Sequence, residues 1–321
     1  MTGTAARPRT LGASGPAVSR LCLGTSNYSR ARFGAGPVEP LETVLDLAET
    51  AGAPITLIDA SNEYGDGFSE AFIGDALRRR AGSPVVVQSK LDRDPETGSF
   101  SSRRMWRSLL ESTARLGLDR LPMLYLHDPE HIGWEEAFAA DGPVRALVEM
   151  KERGLVDAIG ISGGPAPMLL RYVETGLFDA VITHNRFTLV DRSADELLSV
   201  ASARSISVVN AAVYGGGALA KWPAPVERYA YRPADPAMAD AIERMGRACE
   251  NAGVSLAAAA LQASTRDPRV TSTIVGASTA AQVHEAIAAD SIEISDELWA
   301  ELDALAPSPR LWQDPPGSVW A

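Results

Sequence analysis

The chain has 321 residues, 45% of them hydrophobic and 22% charged, an ordinary globular composition long enough for two domains or for one large α/β barrel. Thirty Lys plus Arg against 41 Asp plus Glu leave a net charge of −11, which argues against nucleic acid or an anionic membrane surface as the main partner. Two cysteines, Cys22 and Cys249, cannot build a framework of bridges, and neither has the Cys/His spacing of a zinc site, so no metal is expected. Met1–Thr10 lacks the apolar core of a signal peptide, and no stretch approaches the roughly 20 apolar residues of a membrane helix. A cytoplasmic protein is the expectation.

In chain order, Arg9–Val18 carries a Gly/Ser/Pro turn between short apolar pieces and reads as a hairpin. Short apolar runs then alternate with segments of helical period. The strand-like runs are Arg20–Gly24, Ile55–Asp59, Val85–Lys90, Met123–His127, Ala158–Ser162, Ala180–Asn185, Ser207–Ala212 and Ser272–Gly276. Between them the helical segments are Ser69–Arg80, Ser101–Leu116, Pro143–Arg153, Pro167–Thr175, Ala194–Arg204, Met238–Asn251 and Thr279–Ala288. Several have fitting ends: Ser69-Glu70 opens the first, and Gly117 and Gly154 follow the second and third. Tyr214–Pro236 is a long Gly/Pro/Trp/Tyr loop, and Asp296–Ala321 reads as an extra helix with a Pro/Trp-rich tail.

The strand-like runs are nearly continuous in apolar residues, as parallel strands buried on both faces are. Eight of them, with helices between and no compositional break, predict one (β/α)8 barrel domain over residues 1–321, with the hairpin capping its floor. A doubly wound sheet is the rival. Gly215-Gly216-Gly217-Ala218-Leu219-Ala220 fits G-x-G-x-x-A, but Pro223 and Pro225 interrupt the helix that a dinucleotide fingerprint requires.

Active residues of such a barrel come from the C-terminal ends of its strands. Asp59, Lys90 and His127 end the second, third and fourth runs, and Tyr64 lies five residues beyond Asp59. Each alone has a structural explanation, as a cap, a solvated strand end or a packed ring. Together they make chemistry: an ammonium favours the phenolate of a tyrosine whose ordinary pKa is about 10, and a carboxylate holds the ammonium. A histidine can orient a substrate oxygen. Such a set moves a proton at an alcohol or carbonyl oxygen, and the hydride that accompanies it needs a nicotinamide cofactor.

These blocks resemble the aldo-keto reductases from about Leu11 to about Leu305. The resemblance rests on Asp59-Ala60-Ser61-Asn62-Glu63-Tyr64-Gly65 with Ser69-Glu70, on Gln88-Ser89-Lys90, on Leu124-Tyr125-Leu126-His127, on Gly160-Ile161-Ser162, and on Val270–Gly276 with Ala277-Ser278. It implies Tyr64 as proton donor and acceptor, Lys90 and Asp59 as its tuning partners, and His127 as the substrate orienter. For the cofactor it implies Gly24 and Thr25 after the first strand, and Ser162 and Asn185 at the carboxamide. Further contacts fall on Ala212, on Gly215 and Leu219 of the long loop, and on Gly276, Ser278, Gln282 and Glu285 after the last strand. Gly163 stands where the family usually carries asparagine, and Asn210-Ala211-Ala212-Val213 lacks the tyrosine that often stacks on nicotinamide.

A 2′-phosphate needs a cation, yet no Lys or Arg occurs between Arg269 and Arg310. NAD rather than NADP is therefore expected. Within the family the chain looks most like bacterial dehydrogenases that oxidise the anomeric hydroxyl of L-fucose and D-threo aldoses to lactones. His184-Asn185-Arg186-Phe187-Thr188-Leu189 and Trp312-Gln313-Asp314-Pro315-Pro316 carry that likeness. The rivals are a pyridoxal 4-dehydrogenase, a general carbonyl reductase, and a regulatory subunit that senses nicotinamide nucleotide without turnover. Trp222, Trp312 and Trp320 either stack on substrate or pack the loop and tail. The oligomeric state is not legible.

Overall fold

The computed structural model describes residues 9–12 and 15–320. Eight parallel strands close into a barrel: β1 (Leu21–Gly24), β2 (Ile55–Asp59), β3 (Val86–Leu91), β4 (Leu121–His127), β5 (Val156–Gly163), β6 (Ala180–His184), β7 (Ser207–Ala211) and β8 (Val270–Gly276). β8 pairs with β1 and closes the ring, with Gly276 opposite Gly24. The outer helices are α1 (Glu39–Ala48), α2 (Phe68–Arg79), α3 (Ser102–Leu116), α4 (Pro143–Glu152), α5 (Ala166–Glu174), α6 (Asp195–Ala203), α7 (Pro236–Asn251), α8 (Leu256–Thr265), α9 (Ala280–Ser291) and α10 (Asp296–Ala304).

Local chemistry explains where these elements stop. Ser101, Asp235, Ser255, Thr279 and Ser295 cap α3, α7, α8, α9 and α10 through side-chain oxygens that accept from the first turn. The expected β6 and β7 each lose a residue at the end. Asn185 and Ala212 turn out of the sheet into the left-handed region, with φ of 59° and 54°. Two of these outer helices escaped the sequence reading, as did two single-turn helices, Arg30–Phe33 and Trp134–Ala137. α8 is apolar on nearly every side and offers no polar face to mark its period. α1 follows a Gly/Pro stretch that reads as loop.

The core has an inner and an outer layer. Inside the barrel Cys22, Leu57, Met123, Tyr125, Ile182 and Val209 pack together, and Leu11 and Val18 of the N-terminal hairpin close the floor beneath them. That hairpin pairs Arg9–Thr10 with Ala17–Val18, while Ala13 and Ser14 of its expected turn lie outside the described residues. Gly160 makes room for Tyr125: a Cβ there would stand 2.4 Å from the ring. The outer layer joins strands to helices over most of the circumference. The long loop after β7 contributes Leu219 and Tyr229 to a separate cluster with α7, α8 and α10. Among the described residues no helix is long and apolar enough to cross a membrane.

Candidate active site

At the C-terminal mouth a cavity of about 390 Å³ is lined by Asp59, Tyr64, Lys90 and His127, so the four residues expected to act together are together. Lys90 is 1% exposed and its ammonium donates to both oxygens of Asp59 at 2.8 and 2.9 Å and to the Ala60 carbonyl at 2.7 Å. The same nitrogen lies 4.4 Å from the centre of the Tyr64 ring. Burial lowers the lysine pKa, but the charges of Asp59 and Tyr64 outweigh it and the net shift is upward. For Tyr64 the balance differs from expectation: burial pushes its pKa well above the ordinary value, and the ammonium only partly offsets this. At rest the pair is a neutral phenol beside a fixed ammonium.

The scaffold beneath explains the precision. Gln88, fully buried in the barrel wall, donates to Asp59 Oδ1 at 2.8 Å and accepts from the Tyr125 hydroxyl at 3.1 Å. Tyr64 sits in a turn that Gly65 permits, since φ there is 58° and a Cβ would come within 2.0 Å of the Tyr28 carbonyl. Behind it, Glu70 is fully buried, accepts from Ser89 at 2.6 Å and pairs with Arg115 at 3.2 Å.

His127 is held by a residue the sequence reading missed. Its Nδ1 bonds to Asp92 Oδ1 at 2.5 Å, and Asp92 also accepts from Ser61 Oγ at 2.5 Å and from the Glu63 amide at 2.9 Å. Burial would lower the histidine pKa, but Asp92 reverses it and the net shift is upward. Asp92 itself is raised by burial and lowered more by His127, ending below its ordinary range. The available signal was strand period: Asp92 lies two residues beyond Lys90, on the same face. With Nδ1 engaged, Nε2 is the nitrogen left to meet a substrate.

The expected cofactor residues divide. Gly24, Ser162, Ala212 and Gly276 line the mouth, and Asn185 lies just past the end of β6, next to mouth-lining His184. Asn185 is 1% exposed, its amide nitrogen is 3.3 Å from His184 Nδ1, and its Oδ1 is buried without a partner. An orphaned amide oxygen there suits the NH₂ of a carboxamide. At Gly276 a Cβ would meet nothing within 4 Å, leaving open backbone for a flat ligand. Tyr214 also lines the mouth, supplying from three residues after Ala211 the aromatic ring that the end of β7 lacks. Gly163 is explained by a neighbour: a Cβ there would lie 2.8 Å from Glu130 Oε2.

Two expected contacts are spent otherwise. Thr25 is fully buried and its hydroxyl donates to the Asp59 carbonyl at 2.7 Å, so it braces β2 instead of facing the cavity. Leu219 is fully buried in the cluster under the long loop. Gly215, with φ of 56°, packs against the Tyr229 ring and is the hinge on which that loop turns back. Farther out, Ser278 receives Asn27 Nδ2 at 2.9 Å and Arg32 Nη2 at 2.6 Å, and the Gln282 side chain accepts from the Ser278 amide at 2.7 Å. Glu285 is exposed on α9 beyond them. A cation from the first loop thus reaches a turn that carries none of its own.

None of the three tryptophans lines the mouth. Trp222 packs on Gly246 of α7, Trp320 sits 6.1 Å from Trp134 and 6.2 Å from Tyr172, and Trp312 borders a trench on the outer wall. Their contacts are those of packing.

The unpartnered Asn185 oxygen suits a nicotinamide carboxamide, and comparison with known proteins implies such a cofactor. The Aldo/keto reductase family model matches residues 20–307. D-threo-aldose 1-dehydrogenase from a Pseudomonas species is 32% identical over 316 residues, covering 90% of this chain and 94% of that protein. Pyridoxal 4-dehydrogenase from Microbacterium luteolum is 26% identical, covering 93% and 97%. In fold, an aldo-keto reductase from Bacillus halodurans in its holo form superposes with a TM-score of 0.76 at 21% identity, covering 98% of this chain and 97% of that one. The chain is a member of the aldo/keto reductase family, an oxidoreductase built on a (β/α)8 barrel.

Proposed function

We propose that the protein is an NAD-dependent dehydrogenase that oxidises the anomeric hydroxyl of an aldose, of L-fucose or D-threo type, to the lactone. The observation that carries the proton chemistry is the Lys90 ammonium, fixed by both oxygens of Asp59 and set 4.4 Å from the Tyr64 ring beside His127. The similarity to D-threo-aldose 1-dehydrogenase supports the substrate class.

In this reading Tyr64 gives or takes the proton of the reacting oxygen, and His127 Nε2 orients that oxygen. Asp59 keeps Lys90 charged, and Lys90 makes the phenolate accessible when oxidation requires a base. Because burial raises the Tyr64 pKa, oxidation should accelerate as pH rises through the alkaline range, while the reverse reduction uses the phenol directly. A nicotinamide cofactor, when bound, supplies the hydride acceptor. Gly24, Ser162, Asn185, Ala212 and Gly276 would hold its nicotinamide end, and Gly215, Ser278, Gln282 and Glu285 its outer part.

NAD is favoured because the turn after β8 and the whole of α9 lack Lys and Arg. Arg32 on Ser278 supports a second reading, in which NADP is also used. Similarity to pyridoxal 4-dehydrogenase keeps pyridoxal as the competing substrate. A panel of L-fucose, D-arabinose, L-galactose, pyridoxal and simple aldehydes, each with both cofactors and followed by nicotinamide absorbance, separates these readings. The sugar reading expects the largest kcat/KM for an aldose with NAD; a pyridoxal preference overturns it. Tight cofactor binding with negligible turnover on every substrate would instead mark a redox-sensing subunit.

A further inference from the structure

The mouth holds more polar groups than proton transfer uses. Asp128 and His184 line it next to His127, and Tyr231 stands at its rim with its ring 5.9 Å from that of His184. Asp128 Oδ1 lies 3.6 Å from His127 Nε2, the nitrogen that Asp92 leaves free for substrate. A group that bonds to Nε2 through one oxygen therefore has Asp128 within reach of the oxygen on its neighbouring carbon.

Both side chains are held in place. Asp128 has φ of 46°, an uncommon conformation for a residue other than glycine, fixed by its amide donating to the Ser162 carbonyl at 2.8 Å. His184 is lowered to about 4, first by burial and then by Arg186, so its ring is neutral at neutral pH. The Asn185 amide donates to His184 Nδ1, which leaves the ring proton on Nε2. Asp128 and His184, with Glu130 behind them, each present an atom within 4.8 Å of the others. A carboxylate accepts and a neutral imidazole with a free ring N–H donates, and a hydroxyl that reaches both side chains gives and receives a hydrogen bond.

We propose that Asp128 and His184 are the recognition pair for the hydroxyl on the carbon next to the reacting one, so that the site selects polyhydroxylated substrates over plain aldehydes. The inference rests on the reading of Tyr64 and His127 as the groups at the reacting oxygen. Its physical basis is the cost of unpaired polar groups: a substrate without that hydroxyl dries both side chains and satisfies neither.

The test compares wild type with Asp128→Asn and Asp128→Gly, since Asn and Gly both tolerate positive φ. Each is assayed for L-fucose oxidation and for benzaldehyde reduction, with and without EDTA, and its NAD affinity is measured by fluorescence titration. Asp128→Gly should lower kcat/KM for the sugar on the order of 10²-fold, mainly through KM, and Asp128→Asn about tenfold. The loss in kcat/KM for benzaldehyde should be several-fold smaller than that for the sugar in each variant, and NAD affinity should hold. Equal losses on both substrates, or no loss on either, overturn the recognition pair. So does sugar activity that EDTA abolishes and a divalent cation restores, which would make Asp128, Glu130 and His184 a metal site. A wild type that reduces benzaldehyde but oxidises no aldose defeats the functional reading itself, an outcome distinct from unselective variants of an active enzyme.

Discussion

At the scale of single residues, charge placement decides the chemistry. One of only three lysines in the chain is buried against Asp59, where it has no solvent to stabilise it and no freedom to leave. Replacing it by methionine should lower oxidation turnover by about 10²–10⁴-fold and flatten its rise with pH, because the phenolate loses its counter-charge. A pH profile of unchanged shape in Lys90→Met would contradict that role. Asp92 is argued as a positioning residue for His127. Since the folded His127 pKa is raised, its pairing adds stability fully below the unfolded value of about 6.5, and that stability is lost as pH rises through the folded value. Asp92, lowered by the same pair, adds stability above about 3.8 and loses it as pH falls. In Asp92→Asn burial and Lys90 lower the His127 pKa and only Asp128 still raises it, so the His127 titration followed by NMR should move downward from its wild-type midpoint. A midpoint that stays put would show that the contact does not tune the ring.

At the scale of elements, the strands were legible because parallel barrel strands are apolar on both faces, and their ends marked Asp59, Lys90 and His127 directly. What stayed hidden was whatever depends on a change of backbone direction. Asp128, Asn185 and Ala212 all take positive φ just past the ends of β4, β6 and β7; Asp and Asn tolerate that conformation but occur far more often without it, and Ala212 gives no sign of it at all. The Thr25 and Leu219 side chains face away from the mouth for a related reason: motif position says where a residue lies along the chain, not which way its side chain faces. The tail was readable as a Pro/Trp segment but not as a clamp. Asp314 accepts from Arg186 at 3.2 Å and from the Ala166 amide at 2.7 Å, and the Gln313 amide donates to Asp191 at 2.6 Å. Arg232, beside Tyr231 in the long loop, donates to Gln313 at 3.1 and 3.2 Å, so the tail also steadies the rim. Asp314→Ala should cost about 1.5–3 kcal/mol, lower the melting temperature by several degrees and expose the tail to limited proteolysis. An undiminished melting temperature and a protected tail would contradict this clamp.

At the scale of the whole molecule, the net charge of −11 matters less than where the cations fall. The stretch from Val270 to Pro309 contains none, yet Arg32 crosses from the first loop to Ser278, a contact invisible without the closed barrel that sets β8 beside β1. Arg32→Ala should reduce kcat/KM with NADP about tenfold and leave NAD within about threefold. A higher specificity constant for NADP than for NAD in the wild type would reverse the cofactor assignment. The central claim is that this barrel oxidises an aldose through Tyr64. The most direct measurement is the aldose-dependent formation of reduced nicotinamide by wild type and Tyr64→Phe, with NAD affinity determined in parallel. The wild type should turn over, and Tyr64→Phe should lose about 10²–10⁴-fold in kcat while binding NAD equally well. Equal turnover by the two proteins, or no aldose oxidation by the wild type, would contradict it.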